Sequence, residues 1–217
     1  MILSEFKYRI FTSSILLFLI FLLIQNQFIL MYSVLVFGVL SLIEFFDLIQ
    51  KITKNLLFKF ISKTLFIIFV STFCILFSYF SFFFQIKILL FIFLFGCIGS
   101  DIGGYIFGKI FKGPKLTSIS PKKTISGSIG SFILTFLVIG ILMFYFTGKL
   151  NFKIFVLSFF ISFACQLGDL FFSFLKRKAK VKDTGNFLPG HGGVLDRLDG
   201  IFFGIPVGFL TLLILRI

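Results

Sequence analysis

Seven uninterrupted apolar runs constrain this chain more than any other feature. They fall near Ile10–Ile24, Phe28–Leu48, Leu65–Phe84, Ile88–Phe107, Ser128–Phe146, Ile154–Leu175 and Gly200–Leu215. Each approaches the roughly 20 residues a helix needs to cross a bilayer, the first and last being short. The runs are continuous rather than alternating, which predicts helices and argues against a barrel of strands. The chain of 217 residues is 59% hydrophobic and only 13% charged, whereas soluble domains carry about 25% charged residues. No single globular core hides that much apolar surface. The expected fold is an all-α polytopic membrane protein, a bundle of about seven transmembrane helices forming one domain over 1–217. Residues 1–24 begin with basic residues, as a signal peptide does, but no small-residue cleavage site follows and the run leads into another span. A first helix is the expectation there.

Charge gives an orientation. With the N-terminus inside, Lys7, Arg9, Lys51, Lys54, Lys59, Lys63, Lys109, Lys112, Lys115, Lys122, Lys123, Lys176, Arg177, Lys178, Lys180, Lys182 and Arg197 face the cytoplasm, and Lys87, Lys149, Lys153 and Arg216 do not, 17 against 4. Cytoplasmic connections favour Lys and Arg in this way. The net charge of +13 is spread over connections between apolar runs, so it points to anionic lipid or a phosphate substrate and not to nucleic acid. The 39 Phe, with no Trp, read as a compositional bias and not as an aromatic site. Cys74, Cys97 and Cys165 each lie inside an apolar run without metal-ligand spacing, and buried, inert thiols are expected.

Small residues recur at four-residue spacing, as Gly96, Ser100, Gly104 and Gly108 and again as Gly200, Gly204 and Gly208. Such stripes let helix backbones approach closely in lipid. They are expected to draw the fourth and seventh spans into the bundle. Asp101 lies within the fourth run and Asp169 within the sixth, where a carboxylate is costly and is usually paired or functional. Gln166, Asp169, Ser173 and Lys176 form one polar stripe along the sixth helix; a hydrogen-bonded seam between helices is the alternative, but it does not explain the segment that follows.

The residues from Ser173 to Asp199 narrow the choice. Six basic residues, three carboxylates, the chain's one His and four Gly fall within 27 residues. Each alone has a bland reading: a basic run after a span is commonly a topology signal, and paired glycines commonly make a turn. Together they suit a metal-bound polyphosphate. Glycines let backbone N–H groups approach phosphate oxygens, Lys and Arg neutralise them, and Asp196 and Asp199, three apart, suit Mg²⁺. The connection Ser118-Ile-Ser-Pro-Lys-Lys-Thr-Ile-Ser-Gly127 adds hydroxyls, two lysines and a helix start, a second anion-binding pattern.

This segment resembles the signature of the phosphatidate cytidylyltransferases, also called CDP-diacylglycerol synthases. Every specified position is met, by Ser173, Leu175, Lys176, Arg177, Lys182, Asp183, Gly185, Leu188, Pro189, His191, Gly192, Gly193, Val194, Asp196, Arg197, Leu198 and Asp199. Gln166-Leu-Gly-Asp169, Ser100-Asp-Ile-Gly-Gly-Tyr-Ile-Phe-Gly-Lys109 and Ser120-Pro-Lys-Lys-Thr124 resemble the family's other motifs, and Arg9 and Glu44-Phe45 sit where many members have Arg and Glu-Phe. Two features depart from the family. Ser126 stands where many members have Glu, and only 57 positions separate Glu44 from Asp101, which is two spans fewer than is typical.

The resemblance implies transfer of the cytidylyl group of CTP to phosphatidic acid, giving CDP-diacylglycerol and pyrophosphate, on the cytoplasmic side of the cell membrane. It implies Asp169, Lys176, Asp196 and Asp199 as catalytic, with Asp169, Asp196 and Asp199 holding Mg²⁺ in a paired-cation site. Asp101, Ser120, Lys123, Ser173, Arg177, Lys182, Asp183, His191, Gly192, Gly193 and Arg197 would bind substrate. The implied partners are CTP, phosphatidic acid and the bilayer, and a homodimer is left open. Two rivals stand beside this reading. A CTP-dependent polyprenol-type lipid kinase would move the γ-phosphate instead. An ion-coupled transporter would place its carboxylates near mid-membrane and show inverted repeats, which this sequence lacks.

Overall fold

The computed structural model describes residues 15, 18–187 and 192–216. Six helices are long and apolar enough to cross a membrane: α1 (Gln27–Ile52), α2 (Leu56–Ser81), α3 (Phe84–Phe111), α4 (Ile125–Thr147), α5 (Phe152–Lys178) and α6 (Leu195–Leu215). Residues 18–25 are helical ahead of α1, while most of the first apolar run lies outside the described residues. The protein is therefore an all-helical, multi-pass membrane protein. The described chain forms two compact units, Met1–Phe84 with Leu175–Arg197, and Gln85–Phe174 with Leu198–Ile217.

In the first unit, α1 and α2 pair antiparallel across a three-residue connection. Asn26 and Asn55 start them, each side-chain oxygen accepting from two backbone N–H groups of the first turn. Phe45 stacks on Phe66 with ring centroids 3.8 Å apart, and Gly38 leaves room for the Cys74 sulfur. The third span was expected to begin at Leu65; α2 begins nine residues earlier, at Leu56. Lys59 and Lys63 are thus helical, and Lys63 Nζ lies over the Phe46 ring at 4.9 Å. A long stem lets Lys cover apolar surface while its ammonium stays at the boundary.

In the second unit, α3 and α4 meet backbone to backbone. A methyl group at Gly103 would strike the Gly130 carbonyl, and one at Gly104 would lie 2.8 Å from Ser131 Oγ. Ser131 Oγ donates to Ser100 O at 2.7 Å and Thr135 Oγ1 to Gly96 O at 3.3 Å. This is the close approach expected of the Gly96–Gly108 stripe. The Gly200–Gly208 stripe does the same for α6: Gly204 faces the sulfurs of Cys97 and Cys165, and Gly208 faces Phe93 and Ile161. All three cysteines are buried and unbridged. Helices α3 and α5 are the most buried, with α6 close behind, and α2 is the least.

Two connections are shorter than the sequence predicts. Helix α5 continues through Lys178 and α6 starts at Leu195. Lys176 and Arg177 therefore sit on the last turn of α5, and Asp196, Arg197 and Asp199 on the first turns of α6. The connection 112–124 is pinned by hydrogen bonds from Leu116 N to Lys123 O at 2.8 Å and from Ile125 N to Pro114 O at 3.1 Å. Thr124 caps α4, its hydroxyl accepting from Gly127 N at 3.1 Å.

Candidate functional site

In the first unit, Lys176, Thr184, Gly193 and Asp196 of the 173–199 segment close on one another. Lys176 Nζ donates to Asp196 Oδ1 at 2.5 Å, and both side chains are largely buried. The second carboxylate oxygen, Oδ2, accepts from Thr184 N at 2.8 Å and Gly193 N at 3.1 Å, and lies 3.0 Å from the Thr184 hydroxyl. A buried carboxylate must be paired and hydrogen-bonded to offset its lost hydration, and Asp196 is. Gly192 has φ +87°, a backbone that side-chain-bearing residues rarely adopt. A methyl group at Gly193 would strike Thr184 Oγ1 and Glu44 Oε2.

Glu44, on α1, enters this cluster from far along the chain and is only 1% exposed. Its Oε1 accepts from Val194 N at 2.9 Å, and its Oε2 accepts from Leu195 N at 2.9 Å and from Thr184 Oγ1 at 2.6 Å. A hydroxyl has one proton; the shorter distance assigns that of Thr184 to Glu44. Around this buried knot, Arg177, Lys182, Asp183 and Arg197 are exposed.

In the second unit, Lys123 Nζ donates to Asp169 Oδ2 at 2.9 Å. The pinned connection holds Lys123 there, and Ser120 closes its turn by accepting from Lys123 N at 3.0 Å. The polar stripe on α5 serves two purposes. Gln166 joins a seam, accepting from Ser128 Oγ at 2.5 Å and donating to Ser162 Oγ at 3.3 Å. Asp169, one turn on, faces α6, where a methyl group at Gly200 would lie 3.5 Å from its Oδ1. Asp199 is 8% exposed and accepts from Gly200 N at 2.9 Å. Asp101 is exposed, in the C-terminal half of α3.

The cytidylyltransferase family model matches residues 3–215. The chain belongs to the cytidylyltransferase family. It is 42% identical over 130 residues to the phosphatidate cytidylyltransferase of Rickettsia bellii, covering 54% of this chain and 55% of that one. It is 44% identical over 110 residues to that of Staphylococcus haemolyticus, covering 50% and 42%, and 43% identical over 110 residues to that of Helicobacter pylori, covering 49% and 40%. The matches thus span about half or less of these relatives' own lengths.

Among the described residues, no three His, Cys, Asp or Glu side chains are grouped to hold a metal. Asp196 is engaged at Oδ1 by Lys176 and at Oδ2 by Thr184 and Gly193, so a cation there would share its oxygens with those donors. Asp169 and Asp199 also offer hard oxygen donors, Asp169 while paired to Lys123 and Asp199 while accepting from Gly200 N, and Mg²⁺ is commonly held by one or two carboxylates together with substrate phosphates. His191 lies outside the described residues. Ser126, the departure from the family pattern, donates to Lys112 O and ties the start of α4 to the end of α3. The residue that sequence reasoning placed but gave no task is Glu44. An acid inside the second apolar run, which also holds Asp47, was the available signal.

Proposed function

We propose that this chain transfers the cytidylyl group of CTP to phosphatidic acid, releasing pyrophosphate and forming CDP-diacylglycerol. The observation that carries the reading is the 173–199 segment. It meets the family signature at every specified position, and its Lys176–Asp196 pair is joined by hydrogen bonds to Thr184 and Gly193. The names of the relatives from Rickettsia, Staphylococcus and Helicobacter point the same way.

The chemistry asks for positioning and charge neutralisation more than for proton transfer. The phosphatidate phosphate is already an oxyanion at neutral pH, so its oxygen attacks the α-phosphorus directly. A new P–O bond forms there, the bond from the α-phosphorus to the oxygen bridging to the β-phosphorus breaks, and pyrophosphate leaves with the electron pair. Holding the two anions in line and stabilising the leaving charge supply the rate enhancement. Arg177, Lys182 and Arg197 bind phosphate oxygens, Arg177 and Arg197 with forked guanidinium donors. Lys176 neutralises Asp196, so the cationic edge of the loop is not cancelled by a bare carboxylate. Asp169 and Asp199 are the residues that would hold Mg²⁺, which when bound would neutralise further phosphate charge.

The bias of 17 basic residues against 4 orients the catalytic face to the cytoplasm of a bacterial plasma membrane, where CTP is dissolved and phosphatidate lies in the inner leaflet. The test is purified protein in detergent with phosphatidate and CTP labelled at either end. Label on the α-phosphate is expected in lipid and label on the γ-phosphate in pyrophosphate. Recovery of γ-label in lipid would make the chain a lipid kinase, and no lipid labelling from either position would revive the transporter.

A further inference from the structure

Glu44 is the most completely buried carboxylate among the described residues, and it is spent on a stretch of chain about 140 to 151 positions away. Its two oxygens gather the Thr184 hydroxyl and the N–H groups of Val194 and Leu195. These are the start of the glycine-rich loop and the start of α6. The N–H groups at a helix start have no partner within the helix. A buried anion placed on them gains from both the hydrogen bonds and the local helix field. Gly185 and Gly193 pass so close that a methyl group at Gly185 would lie 2.6 Å from Glu44 Oε1, and one at Gly193 would strike Glu44 Oε2. Thr184 and Gly185 on one side and Gly193 to Leu195 on the other therefore close on this carboxylate.

We infer that Glu44 is a positioning residue for the transfer reaction, fixing Thr184 and Gly185 against Gly193, Val194 and Leu195 so that the Lys176–Asp196 pair, Lys182 and Arg197 hold one arrangement toward CTP phosphates. Thr184 makes the link, lying 2.6 Å from Glu44 and 3.0 Å from Asp196. The inference rests on the cytidylyltransferase reading for its substrate. Its structural core, a loop clamped by α1, does not.

The experiment uses full-length protein in nanodiscs. Glu44→Gln replaces one acceptor by an amide donor that faces a backbone N–H. It is expected to raise KM for CTP about tenfold, the scale of losing hydrogen bonds to a charged group, with kcat changed less. The amides of Val194 and Leu195 should exchange faster in Glu44→Gln, while that of Leu116 in the second unit stays the same. A merely structural loss would lower kcat through the folded fraction and leave KM alone, so that pattern overturns the proposal, as does unchanged exchange at Val194 and Leu195. Gly185→Ala supplies the second arm and does not need Glu44→Gln to fold. The inserted methyl should impair CTP use in the wild-type background and be partly rescued by Glu44→Asp, which withdraws the carboxylate by one methylene. No rescue would overturn the clamp. If wild-type protein failed to label lipid from CTP, the reaction assigned above would fall, while the exchange measurement would still decide whether Glu44 holds the loop.

Discussion

Lys176 Nζ lies 2.5 Å from Asp196 Oδ1, joining the last turn of α5 to the first turn of α6 across 20 positions of chain. Both side chains are largely buried, at 13% and 8% exposure. The loop between them therefore has fixed ends, and each member of the pair leaves the other uncompensated if removed.

Lys176→Met and Asp196→Asn are each expected to lower the thermal midpoint of the purified protein. The double variant should be less destabilised than the sum of the two, with a coupling of roughly 1–3 kcal/mol. Additive effects in that cycle would mean the pair contributes no mutual stabilisation.

Asp199→Asn and Asp169→Asn are expected to lower turnover by about 10²-fold or more, the scale of losing an electrostatic stabiliser, and to shift the Mg²⁺ concentration giving half-maximal rate. Asp196→Asn should lower turnover without that shift, because Asp196 is engaged by Lys176, Thr184 and Gly193. A Mg²⁺ titration of the three variants checks this, and a shifted midpoint for Asp196→Asn would return that residue to the metal.

The 2.9 Å Lys123–Asp169 pair is partly open to solvent, so its worth is in aim more than in stability. Lys123→Ala should reduce CDP-diacylglycerol formation about tenfold or more, by the scale of a lost charge-assisted contact. Lys123→Arg should retain most of it. Equal loss in both variants would indicate that Lys123 acts as a specific ammonium and not as a cation paired to Asp169.

Single cysteines at Ser120, Lys182 and Lys149, in a protein lacking its three buried thiols, test the orientation. Positions 120 and 182 should label only from the cytoplasmic side of intact membranes and position 149 only from the outside. Labelling of 120 or 182 from outside would reverse the topology. Position 185 is a poor reporter, since any Cβ there meets Glu44.

What was legible in the sequence follows from what acts locally. Apolar runs of spanning length mark α1 to α6 because lipid demands continuous apolar helices. The small-residue stripes read correctly as close contacts because spacing of four places residues on one helix face. The start of α2 was misread because Lys59 and Lys63 look like a connection, while the Asn55 cap and the seat of Lys63 over Phe46 make them helical. The stripe Gln166–Asp169–Ser173 could not be divided in advance between seam and site. Its partners come from α4 (Ser128), from the 112–124 connection (Lys123) and from elsewhere on α5 (Ser162). The least legible feature is Glu44. Two of its three donors are backbone N–H groups, and a backbone donor has no residue type to announce it.

At the crossing of α3 and α4, contact is made by main chain: Gly103 meets the Gly130 carbonyl, and Gly127 and Gly130 meet the carbonyls of Gly104 and Gly103. A joint of this kind is indifferent to which apolar side chains clothe the outer surface of either helix. Whatever pressure has raised Phe to 39 residues is therefore free to rewrite the lipid-facing exterior without shifting the helix register. The same joint tolerates no such drift at its own glycines, so mutational latitude in this protein is sharply divided: wide over the hydrocarbon-facing surface, and close to nil along one narrow seam.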